Sequence, residues 1–321
     1  MLAYTAREDT EVHQATARTG LKALAQTNVG FRVRQMGDAD LDRILKLRSV
    51  VGWSADPGAF DLLRGVVRGA RWAVAETPDG ALAGMVGAVP LGSIGVLCHL
   101  AVHDGHRGFG LGALLSSWAV AHLRSRGAKA IRLYSTRKAE GLYRSLGFRE
   151  VAPRTVYRLE EGCRTPRVPA RAGEHRVEAL TFGDLPELCG VDRWSYGADR
   201  SALILATLKL HPGQGLVARD ATSRIKGYLI RSSIGRTARV GPFLASTLEV
   251  ARLLLANALS ATGGAPAQVT VPGPAGCHAH SLLQEFGFGG TQDRMLMELG
   301  ETEAGCRAGL AHYGTTPYLA T

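Results

Sequence analysis

The chain lacks a cysteine framework. Its five cysteines, Cys98, Cys163, Cys189, Cys277 and Cys306, are odd in number, scattered, and contain no C-x-x-C pair. That argues against both a disulfide scaffold and a zinc site, so no metal is expected. The cysteines read instead as small apolar packing groups. Long apolar runs are missing too. The hydrophobic fraction, 45%, suffices for packed cores but is too dispersed for a membrane span. The opening MLAYTAREDTEVHQATARTG has no continuous apolar stretch, so no secretory signal is expected and the cytoplasm is the expected compartment. Dense basic blocks are also absent. The net charge of +10 comes mainly from arginines spread along the chain, a distribution that argues against a nucleic-acid binder more than the total argues for one.

What is present centres on Leu100 to Gly127, reading LAVHDGHRGFGLGALLSSWAVAHLRSRG. An apolar run enters a glycine-rich turn and leaves it as a helix-period pattern, with Leu111, Leu114, Leu115, Trp118 and His122 expected on one helical face. In the turn, Arg107, Gly110 and Gly112 form R-x-x-G-x-G. Glycine permits positive φ and close backbone approach, and the first amides of a helix have no internal acceptor and favour an anion. The stretch therefore predicts a pyrophosphate cradle. It lacks the Lys-Ser/Thr of a P-loop and the acidic residue of a dinucleotide fold. A second segment, Thr136 to Phe148, reads TRKAEGLYRSLGF.

Together these segments resemble the GNAT acyl-CoA N-acyltransferase family. The first carries the family's R-x-x-G-x-G. The second matches its N-x-x-A-x-x-L-Y-x-x-x-G-F at Ala139, Leu142, Tyr143, Gly147 and Phe148, with Thr136 where the family most often has Asn. The resemblance implies acetyl-CoA as acyl donor, and its phosphates account for part of the basic charge. It implies a pyrophosphate site over Arg107, Gly108, Phe109, Gly110, Leu111 and Gly112, and a contact from Thr136 to the pantetheine arm. Backbone groups of Leu100, Ala101 and Val102 are implied to hold the pantetheine, with an amide near Leu100 polarising the acetyl carbonyl. Tyr143 falls on the family's proton donor to the leaving thiolate. A tyrosine protonated at neutral pH can do this, although a core tyrosine is the alternative. Trp53 is a candidate acceptor wall or a packing aromatic.

Many family members place a Glu or His on the thioester side of the strand that ends at Val102, where this chain has Val96 and Cys98. Strict alternation puts Val96, Cys98, Leu100 and Val102 on one face and turns His99 and His103 to the other. His99 is then aimed away from the reacting carbonyl, and no side-chain base is identified. Cys98 is the substrate-side candidate.

At 321 residues two domains are expected. Phe31 to Met36 alternates as a strand, Gly37 to Asp40 gives a turn and cap, and Leu41, Ile44, Leu45 and Leu47 have helical spacing. A second helix is expected to end near Val67. Two strands, Arg71 to Glu76 and Ala81 to Val89, flank the hairpin signal Thr77-Pro-Asp-Gly80. After the breaker-rich GCRTPRVPARAG the chain starts again. His175 to Leu188 repeats the opening strand, turn and helix, and Ala279 to Phe288 aligns with Ala139 to Phe148, at offsets of 144 and 140 residues. The repeat has Gly241-Pro-Phe-Leu-Ala-Ser-Thr247 where the glycine cradle should stand and Leu283 in place of Tyr143. Asp192 to Arg200 is either a recognition loop or a capped turn, with Asp199 or Ser201 starting the next helix.

The expected architecture is α/β, with two tandem GNAT-fold domains, each a mixed twisted sheet flanked by helices. The divisions are an arm at 1–30, a catalytic domain at 31–160, a linker at 161–174, a degenerate domain at 175–300 and a tail at 301–321. The expected activity is direct transfer of an acetyl group from acetyl-CoA to a primary amine, on a small molecule or on a protein or peptide. The alternative is a non-catalytic acyl-CoA-binding sensor or regulatory module. Oligomeric state is open.

Overall fold

The structure, a computed structural model, describes residues 30–53, 64–163, 166, 171–273, 278–301 and 311–314. The expected arm before residue 30, most of the helix expected before Val67, part of the linker and most of the tail lie outside the described residues. The chain divides into two compact units. One holds Met1–Leu133, Lys138–Arg149 and Met297–Glu301, the other Tyr134–Arg137, Glu150–Leu296 and Thr302–Thr321.

In the first unit, β1 (Arg32–Gln35), β2 (Arg71–Glu76), β3 (Leu82–Leu91) and β4 (Ile94–Val102) pair antiparallel in sequence order, and β5 (Ala130–Ser135) joins β4 in parallel. The β2–β3 turn closes with Thr77 N on Ala81 O at 2.9 Å, and Gly80 takes a φ of +84° that favours glycine. Helices α1 (Leu41–Val50), α2 (Leu111–Ser125) and, from Lys138 on, α3 (Arg137–Ser145) flank the sheet. Two strand glycines let α2 lie close. A Cβ on Gly84 would meet Leu115 at 2.9 Å, and one on Gly95 would meet Leu123 at 2.9 Å. The buried stripe of α2 runs through Leu111, Leu115, Ala119 and Leu123. Trp118 and His122 are only half-buried, stacked on each other at 5.6 Å, and His122 Nε2 meets Gly69 O at 2.8 Å. The expected single face is thus only partly buried: a period of 3.6 keeps positions 118 and 122 within about 20° of Leu111, but their two rings pack on each other and against Gly69 rather than in the core. Near the start of α1, Arg34 grips Asp40 and Glu76, each at 2.6 Å, and Arg43 joins both.

The second unit orders its strands β6 (Arg149–Leu159, from Glu150), β12 (Ala267–Pro272), β11 (Thr237–Ala245), β10 (Ile225–Ile234), β9 (Gly215–Arg219), β8 (His175–Ala179) and β7 (Arg171–Ala172). β11 and β12 are parallel and the other neighbours antiparallel. Helices α4 (Leu185–Tyr196), α5 (Ser201–Leu210), α6 (Leu248–Ser260) and α7 (His278–Glu285) pack with them, followed by β13 (Gly289–Gly300) and β14 (Ala311–Gly314). The repeat survives as geometry. Gly37 N donates to Asp40 Oδ2 at 2.8 Å, and 144 residues later Thr181 N donates to Asp184 Oδ2 at 2.8 Å. Both turns open a helix the same way.

Between α4 and α5 the corner is a packed one. Asp192 and Arg200 pair at 2.5 Å with both side chains 1% exposed, Tyr228 donates its hydroxyl to Asp192, and Asp199 Oδ1 accepts from Ser201 N at 3.0 Å. Both units are mixed α/β. No helix among the described residues is long and apolar enough to cross a membrane.

Candidate active site

The turn after β4 is built for an anion. His103 N bonds Ala83 O at 2.9 Å, a single turn spans Asp104–His106, and Gly108 and Gly110 take φ of +86° and +78°. Leu114 N is the first amide of α2 to bond back into the helix, to Gly110 O at 3.1 Å. Helix geometry leaves the amides of Leu111, Gly112 and Ala113 without an internal acceptor, at the positive end of the helix dipole. The glycines differ in purpose. A Cβ on Gly108 would stand in open space, so that residue serves its dihedral angle, whereas one on Gly112 would meet Leu142 Cδ2 at 3.1 Å. Gly112 lets α3 dock on the first turn of α2. Arg107 is bound to Asp104 at 2.6 Å and donates from Nε to Val102 O at 3.3 Å. Phe109 is 49% exposed beside it.

Helix α3 carries Tyr143, which is 5% exposed and sits edge-on to Phe148 at 5.7 Å. Thr136 follows β5, and its carbonyl accepts from Ser135 Oγ at 2.9 Å. Gly112 and Leu142 therefore bring the cradle and the tyrosine's helix together. Thr136 groups with the second unit.

β4 corrects the expected alternation. Cys98 lies opposite Gly87 and Ala101 opposite Met85, so His99 and Leu100 together face one residue of β3. This is a β-bulge, with His99 at a φ of +54°. The extra residue resets the period, placing Ala101 on the face of Cys98 and moving Val102 to the face of Leu97. The bulge also turns His99 to the Cys98 side rather than away from it. Its ring meets Trp53 at 6.2 Å and Trp72 at 6.5 Å, and Arg48 Nη1 is 3.4 Å from His99 Nδ1. Trp72 stands on the Cys98 side, because a Cβ on Gly87 would meet both Trp72 Nε1 and Cys98 Sγ.

Arg48 also covers the Trp53 ring at 5.6 Å, and Trp53 N bonds Arg48 O at 2.8 Å. The sequence reading overlooked Arg48. The available signal was an arginine beside Leu47 on the apolar stripe of α1, where Ile44, Leu47 and Arg48 are buried. A guanidinium can only donate, so its contact requires the lone pair on Nδ1 and places the His99 proton on Nε2. Cys98 is a free, buried thiol whose pKa burial pushes up to about 12, with Arg48 pulling the other way. It stays protonated.

Among the described residues no group of three or more His, Cys, Asp or Glu side chains is placed to hold a metal ion. Two family models match, both described as an acetyltransferase (GNAT) domain, over residues 68–150 and 188–309. The chain belongs to the GNAT acetyltransferase family.

As a GNAT protein it is an acyl-transfer enzyme of a family that uses acetyl-CoA and acetylates amines. No curated protein matches it. Solved structures share its tandem fold. A Pyrococcus horikoshii protein is 18% identical, with 91% of this chain and 96% of that one covered and a TM-score of 0.72. A GCN5-related N-acetyltransferase from Sphaerobacter thermophilus is 18% identical over 84% and 95%, with a TM-score of 0.63. A tandem GNAT protein from the clavulanic acid biosynthesis pathway is 13% identical over 84% and 98%, with a TM-score of 0.62. In the second GNAT unit, Ser246 and Thr247 join β11 directly to α6, and Thr247 Oγ1 accepts from Val250 N at 3.2 Å. The helix start is capped by its own chain there, and fully buried Leu283 occupies the tyrosine's place on α7.

Proposed function

We propose that the first unit transfers an acetyl group from acetyl-CoA to a primary amine by direct attack in a ternary complex, and that the second keeps the fold without the chemistry. The observation that carries this reading is the turn at 107–112 with the helix start it leads into, two positive-φ glycines followed by the open amides of Leu111, Gly112 and Ala113. In this reading Arg107 exchanges Asp104 for a cofactor phosphate, and Gly108, Phe109, Gly110, Leu111 and Gly112 wrap the pyrophosphate. The backbone of Leu100, Ala101 and Val102 holds the pantetheine, with Thr136 as a further contact. Tyr143 protonates the departing thiolate.

The acceptor amine enters beside Trp53 and Cys98, with Arg48 and His99 in the same wall. The His99 Nδ1 lone pair is turned to Arg48, so a water chain or a backbone carbonyl takes the proton that the amine gives up. The protonated thiol of Cys98 favours direct transfer over an acyl-cysteine relay. The acceptor is a small-molecule amine or an amine of a protein or peptide, and the reaction runs in the cytoplasm.

Calorimetric titration with acetyl-CoA tests the reading. One site per chain, together with thiol release on adding amines, is the expected result. No binding would overturn it. Binding without thiol release from any amine would make the protein an acyl-CoA sensor.

A further inference from the structure

In the second unit the parallel strands β11 and β12 pair through Ala238–Ala267, Arg239–Gln268 and Val240–Val269 and then part. In the first unit β4 and β5 do the same, parting after Val96–Arg132. The forks differ in what fills them. Among the described residues no strand covers the fork-side edge of β4 beyond Val96. In the second unit β14 lies antiparallel along β11, with Phe243 opposite Gly314, Leu244 opposite His312 and Ala245 opposite Ala311. These positions are three to five residues past the last β11–β12 pair. Leu100 to Val102 stand four to six past the last β4–β5 pair.

The segment fits the fork closely. A Cβ on Gly314 would meet Val269 Cγ1 at 3.1 Å, Val240 O at 3.2 Å and Phe243 Cβ at 3.3 Å, so this glycine sits in the crotch between the two strands. Tyr313 is 2% exposed, its ring 5.2 Å from that of Phe243, in one core with Val269, Leu254 and Leu283. His312 reaches the other way, with Nε2 3.1 Å from Ser195 O and its ring 5.8 Å from Tyr196 on α4. A closely seated glycine, a buried aromatic and an anchored histidine occupy three successive positions.

We propose that the fork of β11 and β12 is a strand-accepting peptide site, filled in cis by Ala311–Gly314. Backbone pairing supplies the binding, and the pocket for Tyr313 with the tight seat for Gly314 supplies the selectivity, as in strand addition to a sheet edge. The site's ligand is an extended peptide of the form His-Tyr-Gly. The chain's own segment thus lies where the proposed first-unit site would hold a pantetheine arm. That comparison rests on the proposed function, whereas the peptide site rests on the pairing and burial alone.

The test uses the full chain and a chain ending at Glu301, with a synthetic peptide of residues 308–318. The shortened chain is expected to unfold several degrees lower. The peptide at about millimolar concentration, the range of a short tether's effective concentration, is expected to restore the midpoint saturably. A peptide with Tyr313→Ala should fail, and the full chain should bind neither. An unchanged midpoint on shortening, or no recovery with the peptide, overturns the proposal. Hydrogen exchange on full-length Gly314→Val covers the case in which the shortened chain does not fold. Amides at 243–245 should exchange at least tenfold faster while those at 238–240 keep their protection, and equal rates at both sites would also overturn it. Neither readout involves acetyl-CoA, so each reading can fail without the other.

Discussion

Two side chains near the proposed thioester site can be told apart by what each does with a proton. Tyr143 is buried on α3 against Phe148, and its helix is seated on the cradle through Leu142 and Gly112. Removing only its hydroxyl keeps the ring packing and the helix position. Tyr143→Phe should therefore lower turnover by about 10²-fold, the scale of a lost general acid, with the acetyl-CoA dissociation constant unchanged by calorimetry. Equal turnover would make the tyrosine a packing residue. Cys98 is the opposite case. A thiol held at about 12 offers almost no thiolate at neutral pH, so an acyl group has no route through it. Cys98→Ala should keep turnover within a few-fold, with any change confined to the acceptor's KM. Intact-mass analysis of the wild-type protein with acetyl-CoA alone should show no added acetyl group, and an acetylated Cys98 would contradict direct transfer.

At the scale of elements, the glycine turn makes a sharper prediction than its composition does. Gly108 has open space around its missing Cβ, so a side chain there meets no neighbour and disturbs only the backbone at a φ of +86°. An L-residue loses about 1–2 kcal/mol in that region, and the turn relaxes by turning its amides off the anion. Gly108→Val should weaken acetyl-CoA by tenfold or more in a calorimetric titration while the thermal midpoint moves little. Unchanged affinity would remove the turn from the site. This element was legible in the sequence, because glycine spacing and helix period are local properties, and the strand leading into it ends at Val102 as read. The bulge at His99 and Leu100 was not legible. It exists because β3 and β4 pair out of step between Met85 and Gly87, and no residue type in LCHLA announces that. One inserted position moved His99 into the Arg48–Trp53 wall, so the reading failed at the one place where long-range pairing overrides the period of two. Strand β14 was hidden for the same reason. Its seat is made by residues some seventy positions earlier.

For the whole molecule, the duplication shows how one opening turn was reused with different electrostatics. Asp184 of the second unit is held by Arg219, while its counterpart Asp40 belongs to a four-membered network with Arg34, Arg43 and Glu76. Hydrogen bonds from Arg34, with Arg43 assisting, hold Asp40 at about 2 against an ordinary 3.8 and Glu76 at about 2 against 4.5. Both folded-state values are depressed, so the stabilisation is complete above about pH 4.5 and is lost as pH falls through 2. Arg34 and Arg43 are about a third exposed, and solvent screening keeps the effect below what buried pairs give. Across that interval a chain with a net charge of +10 at neutral pH also gains positive charge as its carboxylates titrate. General acid repulsion must therefore be separated from loss of this network, and Arg34→Ala does so. The variant should be less stable than wild type at pH 7, and the gap between their urea midpoints should narrow from pH 4.5 downward and nearly close at pH 2. A gap that is constant with pH would mean Arg34 contributes by packing its stem rather than by holding two carboxylates ionised.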